Sequence, residues 1–344
     1  MLRDSLRKVA SCEALTSGEA ERALETIMEG TAPPAATAAL LTAMRVRGES
    51  IAEIVGFARA MRRFAEKVEA PEDVVDTCGT GGDAKGTINI STAAAFVARG
   101  AGVTIAKHGN RAATSQAGSA DVLEALGAEI ELGPVAVSQC IAEAGIGFMF
   151  ARTHHPAMRF VAPVRAELPF RTVFNLLGPL TNPAGAKRQL IVVFAVDYVR
   201  LVAEALLELG AERALVVHGA DGMDEISSSG PTSVAEVASG EISEYQISPN
   251  DFDLAVHPPD SILGGDAHTN ARILRDVLSG TEMGASRDVV VINAAAAILV
   301  SGSAPTLEEG LKAATISIDD GAAEAALETF TKTTRRLSGT GGSA

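Results

Sequence analysis

Apolar residues recur every three or four positions through the first seventy residues, which is the spacing of amphipathic helices. Thr16 with Glu19, and Ser50 with Glu53, have the spacing of capping boxes, so each pair predicts a helix start. A further helix is predicted to begin near Pro33. The apolar faces of these three helices are Ala20, Leu24, Ile27 and Met28, then Leu40, Leu41 and Met44, and finally Ile51, Ile54, Val55, Ala58 and Met61. The chain is therefore predicted to open with a small helical unit.

From Val74 onward, short apolar runs alternate with longer helical patterns. The run 190–196 is apolar at every position, which is typical of a strand covered by helices on both faces of a parallel sheet. The predicted strands are 74–76, 103–106, 147–151, 190–196 and 214–218. Helices are predicted after Ser91, Ser119, Pro134 and Tyr198, and over 267–278 and 289–300. The alternation predicts an α/β fold over 71–344, after a helical domain over 1–70.

Composition limits the classes of partner. The chain has 344 residues, 47% hydrophobic and 21% charged, which suffices for a sizeable core. Its 29 basic and 43 acidic side chains give a formal net charge of −14, which disfavours a nucleic-acid-binding or membrane-binding surface. No stretch has the length of a membrane span. Cys12, Cys78 and Cys140 are widely spaced and form no Cys-x-x-Cys pair, so a reducing cytoplasm is the predicted location.

The segment 79–83, Gly-Thr-Gly-Gly-Asp, follows the first predicted strand and is the strongest local signal for ligand binding. Glycines at Gly79, Gly81 and Gly82 permit positive φ angles and a close backbone approach, so that successive N–H groups can face an anion. The segment also allows an ordinary tight turn. A dinucleotide site is disfavoured, because the next helix fits only from about Ser91 and Lys107 stands where an acid is expected. Lys85-Gly86-Thr87 has the wrong order for a P-loop.

Polar and basic residues surround this glycine loop in the sequence. Ser91 and Thr92 lie at a predicted helix start, where hydroxyls and free N–H groups can bind phosphate, although ordinary capping explains them as well. Lys107 follows a predicted strand, and open α/β sheets bind ligands at that end. Ser119 begins another predicted helix. These positions together favour a phosphate-bearing ligand over a tight turn.

The ordered motifs resemble those of the anthranilate phosphoribosyltransferase family over nearly the whole chain. The matching segments are 79–83 Gly-Thr-Gly-Gly-Asp, 89–92 Asn-Ile-Ser-Thr, 107–112 Lys-His-Gly-Asn-Arg-Ala, 118–124 Gly-Ser-Ala-Asp-Val-Leu-Glu, 154–158 His-His-Pro-Ala-Met, 163–165 Pro-Val-Arg, 175–183 Asn-Leu-Leu-Gly-Pro-Leu-Thr-Asn-Pro and 224–225 Asp-Glu. Pyrimidine nucleoside phosphorylases share the glycine loop but lack the Lys-His-Gly-Asn-Arg string in this form. Two departures from the family pattern are Ala84, commonly glycine, and Ile88, commonly aromatic.

The resemblance implies that the chain transfers phosphoribose from 5-phosphoribosyl 1-pyrophosphate to anthranilate, in tryptophan biosynthesis. The implied donor contacts are Gly79, Gly81, Gly82, Asp83, Thr87, Asn89, Ser91, Thr92, Lys107 and Ser119. The implied Mg²⁺ ligands are Ser91, Asp224 and Glu225. An acid pair is otherwise common on surfaces, but this one follows an apolar run in a turn, and Mg²⁺ favours such oxygen ligands.

The resemblance also implies an acceptor pocket for the aromatic acid. Its residues are Gly79, His108, Asn110, His155, Arg165 and Gly178, with Arg165 binding the carboxylate as a planar guanidinium can. His154 and His155 could instead serve only to cap a helix or fill the core. No residue is predicted to act as a general base, because an aryl amine is already neutral near pH 7; positioning and charge stabilisation supply catalysis.

The family fold implies a small all-helical domain, completed by a later segment near 165–185, and a larger α/β domain with a mixed, largely parallel sheet. It also implies a homodimer formed through the helical domain. Two other classes stay open from the sequence. One is a pyrimidine nucleoside phosphorylase; the other is a non-catalytic nucleic-acid-binding relative, which the net charge of −14 disfavours.

Overall fold

Four helices open the chain in the computed structural model, which describes residues 2–82, 85–112 and 116–339. They are α1 (Leu2–Ala10), α2 (Ser17–Met28), α3 (Pro34–Arg47) and α4 (Ile51–Phe64). Thr16 and Ser50 accept hydrogen bonds from the backbone N–H groups of Glu19 and Glu53, so both predicted capping boxes are confirmed. Helix α3 ends before Gly48, whose φ of +94° suits glycine.

The second part of the chain forms a sheet of seven strands within the described residues. They are β1 (Val75–Gly79), β2 (Ile105–Gly109), β3 (Ile146–Phe150), β4 (Arg188–Val192), β5 (Arg213–Gly219), β6 (Thr232–Ala238) and β7 (Glu241–Ile247). Their order is β3-β2-β1-β4-β5-β6-β7, with the first five parallel and the last two antiparallel. All five predicted strands are present, with shifted ends.

Helices cover the sheet on both faces. Their bounds are α5 (Ile90–Gly100), α6 (Ser119–Ala125), α7 (Pro134–Ala144), α8 (Ala151–His154), α9 (Ala162–Glu167), α10 (Phe174–Leu177), α11 (Asp197–Glu208), α12 (Ala267–Leu278), α13 (Ala285–Ser301), α14 (Leu307–Asp319) and α15 (Ala322–Ser338). Short 3-10 turns cover Pro156–Phe160, Gly178–Leu180, Pro249–Phe252 and Pro259–Ile262. In β4, Leu190 and Ile191 are both fully buried and belong to different hydrophobic clusters, which confirms a strand buried on both faces.

The sequence prediction differed from the structure at strands β2 and β4 and at the hairpin of β6 and β7. Strand β2 continues through Lys107 and His108 to Gly109, because these residues pair with β3, so Lys107 lies within the strand and not beyond it. Strand β4 ends at Val192 and not at residue 196. The antiparallel hairpin of β6 and β7 was missed, although Ser239 and Gly240 form its turn, with φ of +53° and +80°.

Two hydrophobic clusters make up the core of the part of the chain that the structure describes. One contains the side of the sheet covered by α5 and α12 to α15. The other joins the four N-terminal helices to the opposite side of the sheet, and it includes buried residues between Ala157 and Leu180. In the ranges described, no helix combines the length and apolarity needed to cross a bilayer.

Candidate active site

Residues from four parallel strands meet at the carboxyl edge of the sheet, where such sheets bind ligands. The glycine loop leaves β1 beside β4: a Cβ built on Gly79 would clash with the Val192 side chain and would lie 3.8 Å from Asp224 Oδ2. Asp224 belongs to the turn after β5. The close approach places the start of the glycine loop against the acid pair, and it requires glycine at position 79.

The first turn of α5 lies at the same edge. The Ser91 backbone N–H donates to Glu225 Oε1 at 3.1 Å, and Lys107 Nζ donates to Ser91 Oγ at 3.3 Å. Lys107 is buried and also donates to the Thr77 carbonyl. Burial lowers the pKa of its ammonium group, while Cys78, Asp76 and Glu225 nearby oppose the shift. Ser91 is thus bonded to an acid through its backbone N–H and to the Lys107 amine through its hydroxyl.

The other predicted donor residues border this cluster. Both polar atoms of the Asn89 side-chain amide form hydrogen bonds. Its Nδ2 donates to the Ala117 carbonyl at 3.1 Å, and its Oδ1 accepts from Asn270 Nδ2 at 2.9 Å. Thr87 pairs with Leu263, which ties the end of the loop to another segment. Ser119 Oγ donates to the Asn110 carbonyl at 3.2 Å, and the buried Thr92 Oγ1 has no partner within the described ranges. Asp83, predicted to contact the donor, and Ala84 lie outside the described residues.

Two histidine rings form a second, adjacent group. The ring centroids of His108 and His155 are 5.0 Å apart, and both side chains are buried. His108 Nδ1 lies 3.1 Å from the Gly178 carbonyl, whereas in the described part of the chain its Nε2 and both His155 ring nitrogens have no hydrogen bond of normal geometry. Buried polar atoms without partners are uncommon, so these nitrogens suit a polar ligand. His154 is oriented differently, with Nδ1 3.0 Å from the Phe150 carbonyl.

Burial sets the charge of these rings. It lowers the pKa of His155 to about 4, with a further contribution from His154 and a weak opposing one from the Thr181 backbone. Burial, followed by the proximity of His155, holds the pKa of His108 well below its usual range. Both imidazoles are therefore neutral at pH 7, and each can accept one hydrogen bond and donate another.

Arg165 and Gly178 lie on the segment that follows these histidines. The Arg165 guanidinium Cζ is 5.4 Å from the Phe174 ring centroid, and among the described residues it has no carboxylate partner. Burial lowers the pKa of this guanidinium from its usual value. No atom in the described part of the chain lies within 4 Å of a Cβ built on Gly178, so open space adjoins this glycine there. No hydrogen bond or ion pair within the described ranges joins Arg165 to His108 or His155.

Known proteins share this arrangement of a helical part and an α/β part. Residues 3–65 match the family model described as glycosyl transferase family, helical bundle domain, and residues 71–324 match glycosyl transferase family, a/b domain. An anthranilate phosphoribosyltransferase of Rubrobacter xylanophilus is 76% identical over 341 residues, covering 99% of this chain and all of that protein. The chain belongs to the anthranilate phosphoribosyltransferase family.

Solved structures of this family have the same fold. The anthranilate phosphoribosyltransferase of Thermus thermophilus superposes with a TM-score of 0.92 at 45% identity, covering 96% of this chain and 99% of that one. The Saccharomyces cerevisiae enzyme in complex with PRPP and Mg has a TM-score of 0.89 at 29% identity, covering 97% and 98%. The predicted family is confirmed, as is the predicted fold of a small helical domain with a larger α/β domain and a mixed, largely parallel sheet.

Several polar residues at the site were not singled out from the family motifs. Asp76 is buried beneath the glycine loop, where it accepts from the His108 N–H at 3.0 Å and from Asn182 Nδ2 at 2.7 Å. Arg171 donates to the Gly82 carbonyl. Asn182 belongs to the 175–183 motif, and Asp76 lies just before the 79–83 motif. Both are polar residues in buried segments, and this was the sequence signal that could have identified them.

Proposed function

We propose that this protein transfers the phosphoribosyl group of 5-phosphoribosyl 1-pyrophosphate to the amine of anthranilate, giving N-(5-phosphoribosyl)anthranilate and pyrophosphate, as a step of tryptophan biosynthesis. The main structural support is that the glycine loop, the start of α5 and the Asp224-Glu225 turn converge at one edge of the sheet. The 76% identity to the Rubrobacter xylanophilus protein supports the same activity.

The donor is proposed to bind along this sheet edge. Its phosphate oxygens accept from the loop N–H groups at Gly79, Gly81 and Gly82 and from the first turn of α5, since helix N-termini favour anions. The remaining proposed contacts are Asp83, Thr87, Asn89, Ser91, Thr92, Lys107 and Ser119. In support, Lys107 and Ser91 are already in contact at 3.3 Å.

Mg²⁺ is the proposed cofactor, held by Asp224, Glu225 and the Ser91 hydroxyl. The donor set fits, because all three supply oxygen atoms and the Ser91 N–H is bonded to Glu225 at 3.1 Å. The described residues contain no group of three or more His, Cys, Asp or Glu side chains able to form a metal site by themselves. Substrate phosphates and water are proposed to complete the shell, as is usual for this ion. When bound, Mg²⁺ neutralises charge on the departing pyrophosphate.

The acceptor is proposed to occupy the space between the histidine pair and Arg165. Arg165 binds the carboxylate with its planar guanidinium, for which the structure offers no competing acid among the described residues. Neutral His108 and His155 form the wall of the pocket with Gly79, Asn110 and Gly178. The open space at Gly178 leaves room for a flat ring.

The reaction is a displacement at the anomeric carbon of ribose. The amine nitrogen forms a bond to this carbon while the bond to the pyrophosphate oxygen breaks, and the amine then loses a proton to solvent. No residue is proposed to act as a general base, because the amine is neutral before attack. This chain's residues hold the two substrates in line and stabilise the leaving charge.

The experiment is depletion of anthranilate fluorescence by the purified protein with donor and Mg²⁺. Loss of fluorescence that requires both additions is expected. A protein that left fluorescence unchanged while releasing free base from thymidine and phosphate would be a nucleoside phosphorylase. Salt-sensitive binding of DNA without turnover would indicate the non-catalytic class.

We further propose the organisation that the family implies. Residues 1–70, completed by a segment near 165–185, form the helical domain, and 71–344 form the α/β domain. Shared packing of residues 157–180 with the N-terminal helices supports this division. A homodimer formed through the helical domain is proposed, as the family resemblance implies. A cytoplasmic location is supported by the free thiols of Cys12, Cys78 and Cys140.

A further inference from the structure

Arg171 contacts two described residues, Gly82 and Phe194, and neither contact belongs to a role proposed above. Its Nη2 donates a hydrogen bond to the backbone carbonyl of Gly82, the last described residue of the glycine loop before 85. Its Cζ lies 3.9 Å from the centroid of the Phe194 ring, which is the geometry of a guanidinium stacked on an aromatic face. The Phe194 ring holds the Arg171 guanidinium in place, and the edge of the guanidinium reaches the glycine loop.

The glycine loop is shaped for this contact. Gly81 and Gly82 have φ of +64° and +87°, and a Cβ built on Gly82 would lie 3.1 Å from Arg171 Nη2. Glycine therefore allows the guanidinium to approach the backbone closely. In a turn with two positive φ angles, fixing one carbonyl also fixes the direction of the neighbouring N–H groups that would bind an anion.

Phe194 supports the same loop a second time. Its backbone N–H donates to Thr80 Oγ1 at 3.1 Å, and the Thr80 N–H donates to the Val192 carbonyl at 2.9 Å. The stretch after β4 thus binds the loop directly through Thr80 and indirectly through the stacked Arg171. By contrast, no atom of the described residues lies within 4 Å of a Cβ built on Gly81, so these residues give Gly81 little packing.

Arg171 also links the two halves of the site along the chain. It lies between α9, which carries Arg165, and α10, which precedes Gly178. Among the described residues no carboxylate pairs with it; Asp83, next to Gly82, is outside them. The Arg171 guanidinium donates a hydrogen bond to a backbone carbonyl. This contact is more consistent with a role in holding the loop than with a role in an ordinary surface ion pair.

We propose that Arg171 is a positioning residue that holds the turn at Gly81 and Gly82 in the conformation that receives the donor's phosphate groups. The proposal rests on the proposed function, and it concerns the donor side of the reaction alone. Arg171 contacts Gly82 in the absence of substrate. Removing the Arg171 side chain must therefore change the glycine loop of the free protein as well as the kinetics of the reaction.

The test combines kinetics with backbone hydrogen exchange. In Arg171→Ala the KM for the donor rises about tenfold or more, as for loss of a charge-assisted hydrogen bond, while the KM for anthranilate changes less than about twofold. The amides of residues 80–82 exchange faster in the free variant. Arg171→Lys, which retains a donor but not the stacked plane, recovers part of both effects. Arg159→Ala is the control, since Arg159 also stacks on a ring, 4.7 Å from the Phe160 centroid, away from the loop.

Three results would overturn the positioning role: an unchanged donor KM, equal rises in both KM values, or a raised donor KM with unchanged exchange in the free protein. The last result would mean that Arg171 contacts the donor itself. If the unaltered protein shows no turnover, the proposed function fails, but the exchange of residues 80–82 still decides whether Arg171 holds the loop. Thermal unfolding of each variant shows that the measurement is made on folded protein.

Discussion

Asn182 donates from its side-chain Nδ2 to Asp76 Oδ2 at 2.7 Å, and both side chains are buried. The same amide donates to the Ala106 carbonyl at 2.9 Å, and the other Asp76 oxygen accepts from the His108 N–H at 3.0 Å. Burial raises the pKa of Asp76 to about 6, and the hydrogen bonds from Asn182 and His108 limit the rise. This pair joins the segment after Gly178 to β1 and β2 beneath the proposed acceptor pocket.

Replacing Asn182 by alanine is expected to destabilise the protein. The change leaves an Asp76 oxygen and the Ala106 carbonyl without their partner, so the free energy of unfolding should fall by about 1–3 kcal/mol. Urea denaturation measures it. Asn250→Ala, at an exposed position, is the control and should stay within about 0.5 kcal/mol of the parent. Equal stability of the two variants would show that the buried pair contributes nothing.

Acid should destabilise the fold through the buried histidines. The folded-state pKa values of His108, His154 and His155 are lowered, so the unfolded chain binds protons first as pH falls below about 6.5. For His155, whose folded pKa is about 4, the loss of unfolding free energy amounts to roughly 3 kcal/mol by pH 4. Asp76 has the opposite effect on stability between about pH 6 and 4. Its folded-state pKa is raised, so the folded protein takes up this proton first and acid stabilises the fold through Asp76.

Urea midpoints measured from pH 7 to pH 5 test this balance. The midpoint should decrease toward pH 5, and His155→Gln should reduce the slope. His268→Gln, at an exposed position, should leave the slope unchanged. A midpoint that rises on acidification would contradict the assigned neutral state of the histidines.

Arg165→Ala should weaken anthranilate binding selectively. Loss of a bidentate charge-assisted pair is worth about 1.5–3 kcal/mol, which corresponds to a rise in the anthranilate KM of about tenfold or more. The anthranilate KM of Arg165→Lys should lie between those of the parent and of Arg165→Ala, because an ammonium group cannot reproduce the planar geometry of the guanidinium. Arg152→Ala, exposed on α8, serves as the control. Normal anthranilate affinity in the Arg165 variant would show that the pocket lies elsewhere.

Two glycines should respond differently to alanine. Gly178→Ala places a methyl group in open space, so we expect normal thermal stability and a raised anthranilate KM. Gly79→Ala forces the same group into the Val192 side chain and should lower the unfolding temperature. The comparison separates a glycine at which a methyl group disturbs only ligand binding from one at which it also strains the folded protein. An unchanged anthranilate KM in Gly178→Ala would remove this residue from the pocket.

The acid pair should control the metal dependence of donor binding. Asp224→Asn combined with Glu225→Gln removes both proposed carboxylate ligands, so the Mg²⁺ concentration that supports half-maximal donor binding should rise at least about tenfold. Calorimetry with donor and no acceptor measures binding without turnover. Glu241→Gln, on the exposed strand β7, should match the parent. Retention of the parent Mg²⁺ midpoint in the double variant would refute the ligand assignment.

Local patterns predicted most elements but few of their partners. The capping boxes at Thr16 and Ser50 and the five parallel strands follow from spacing along the chain. The Asp76–Asn182 bond spans 106 positions, and no local pattern encodes such a pairing. The same holds for Arg171 and Gly82, which are 89 positions apart. The β6–β7 hairpin was missed because β7 is largely exposed and carries little of the apolar alternation that reveals a strand.

Phosphoribosyl transfer to anthranilate is tested by following anthranilate fluorescence and released pyrophosphate in one reaction. With donor and Mg²⁺ present, we expect one pyrophosphate released for each anthranilate consumed. Release of pyrophosphate with constant anthranilate fluorescence, or no reaction at all, would contradict it.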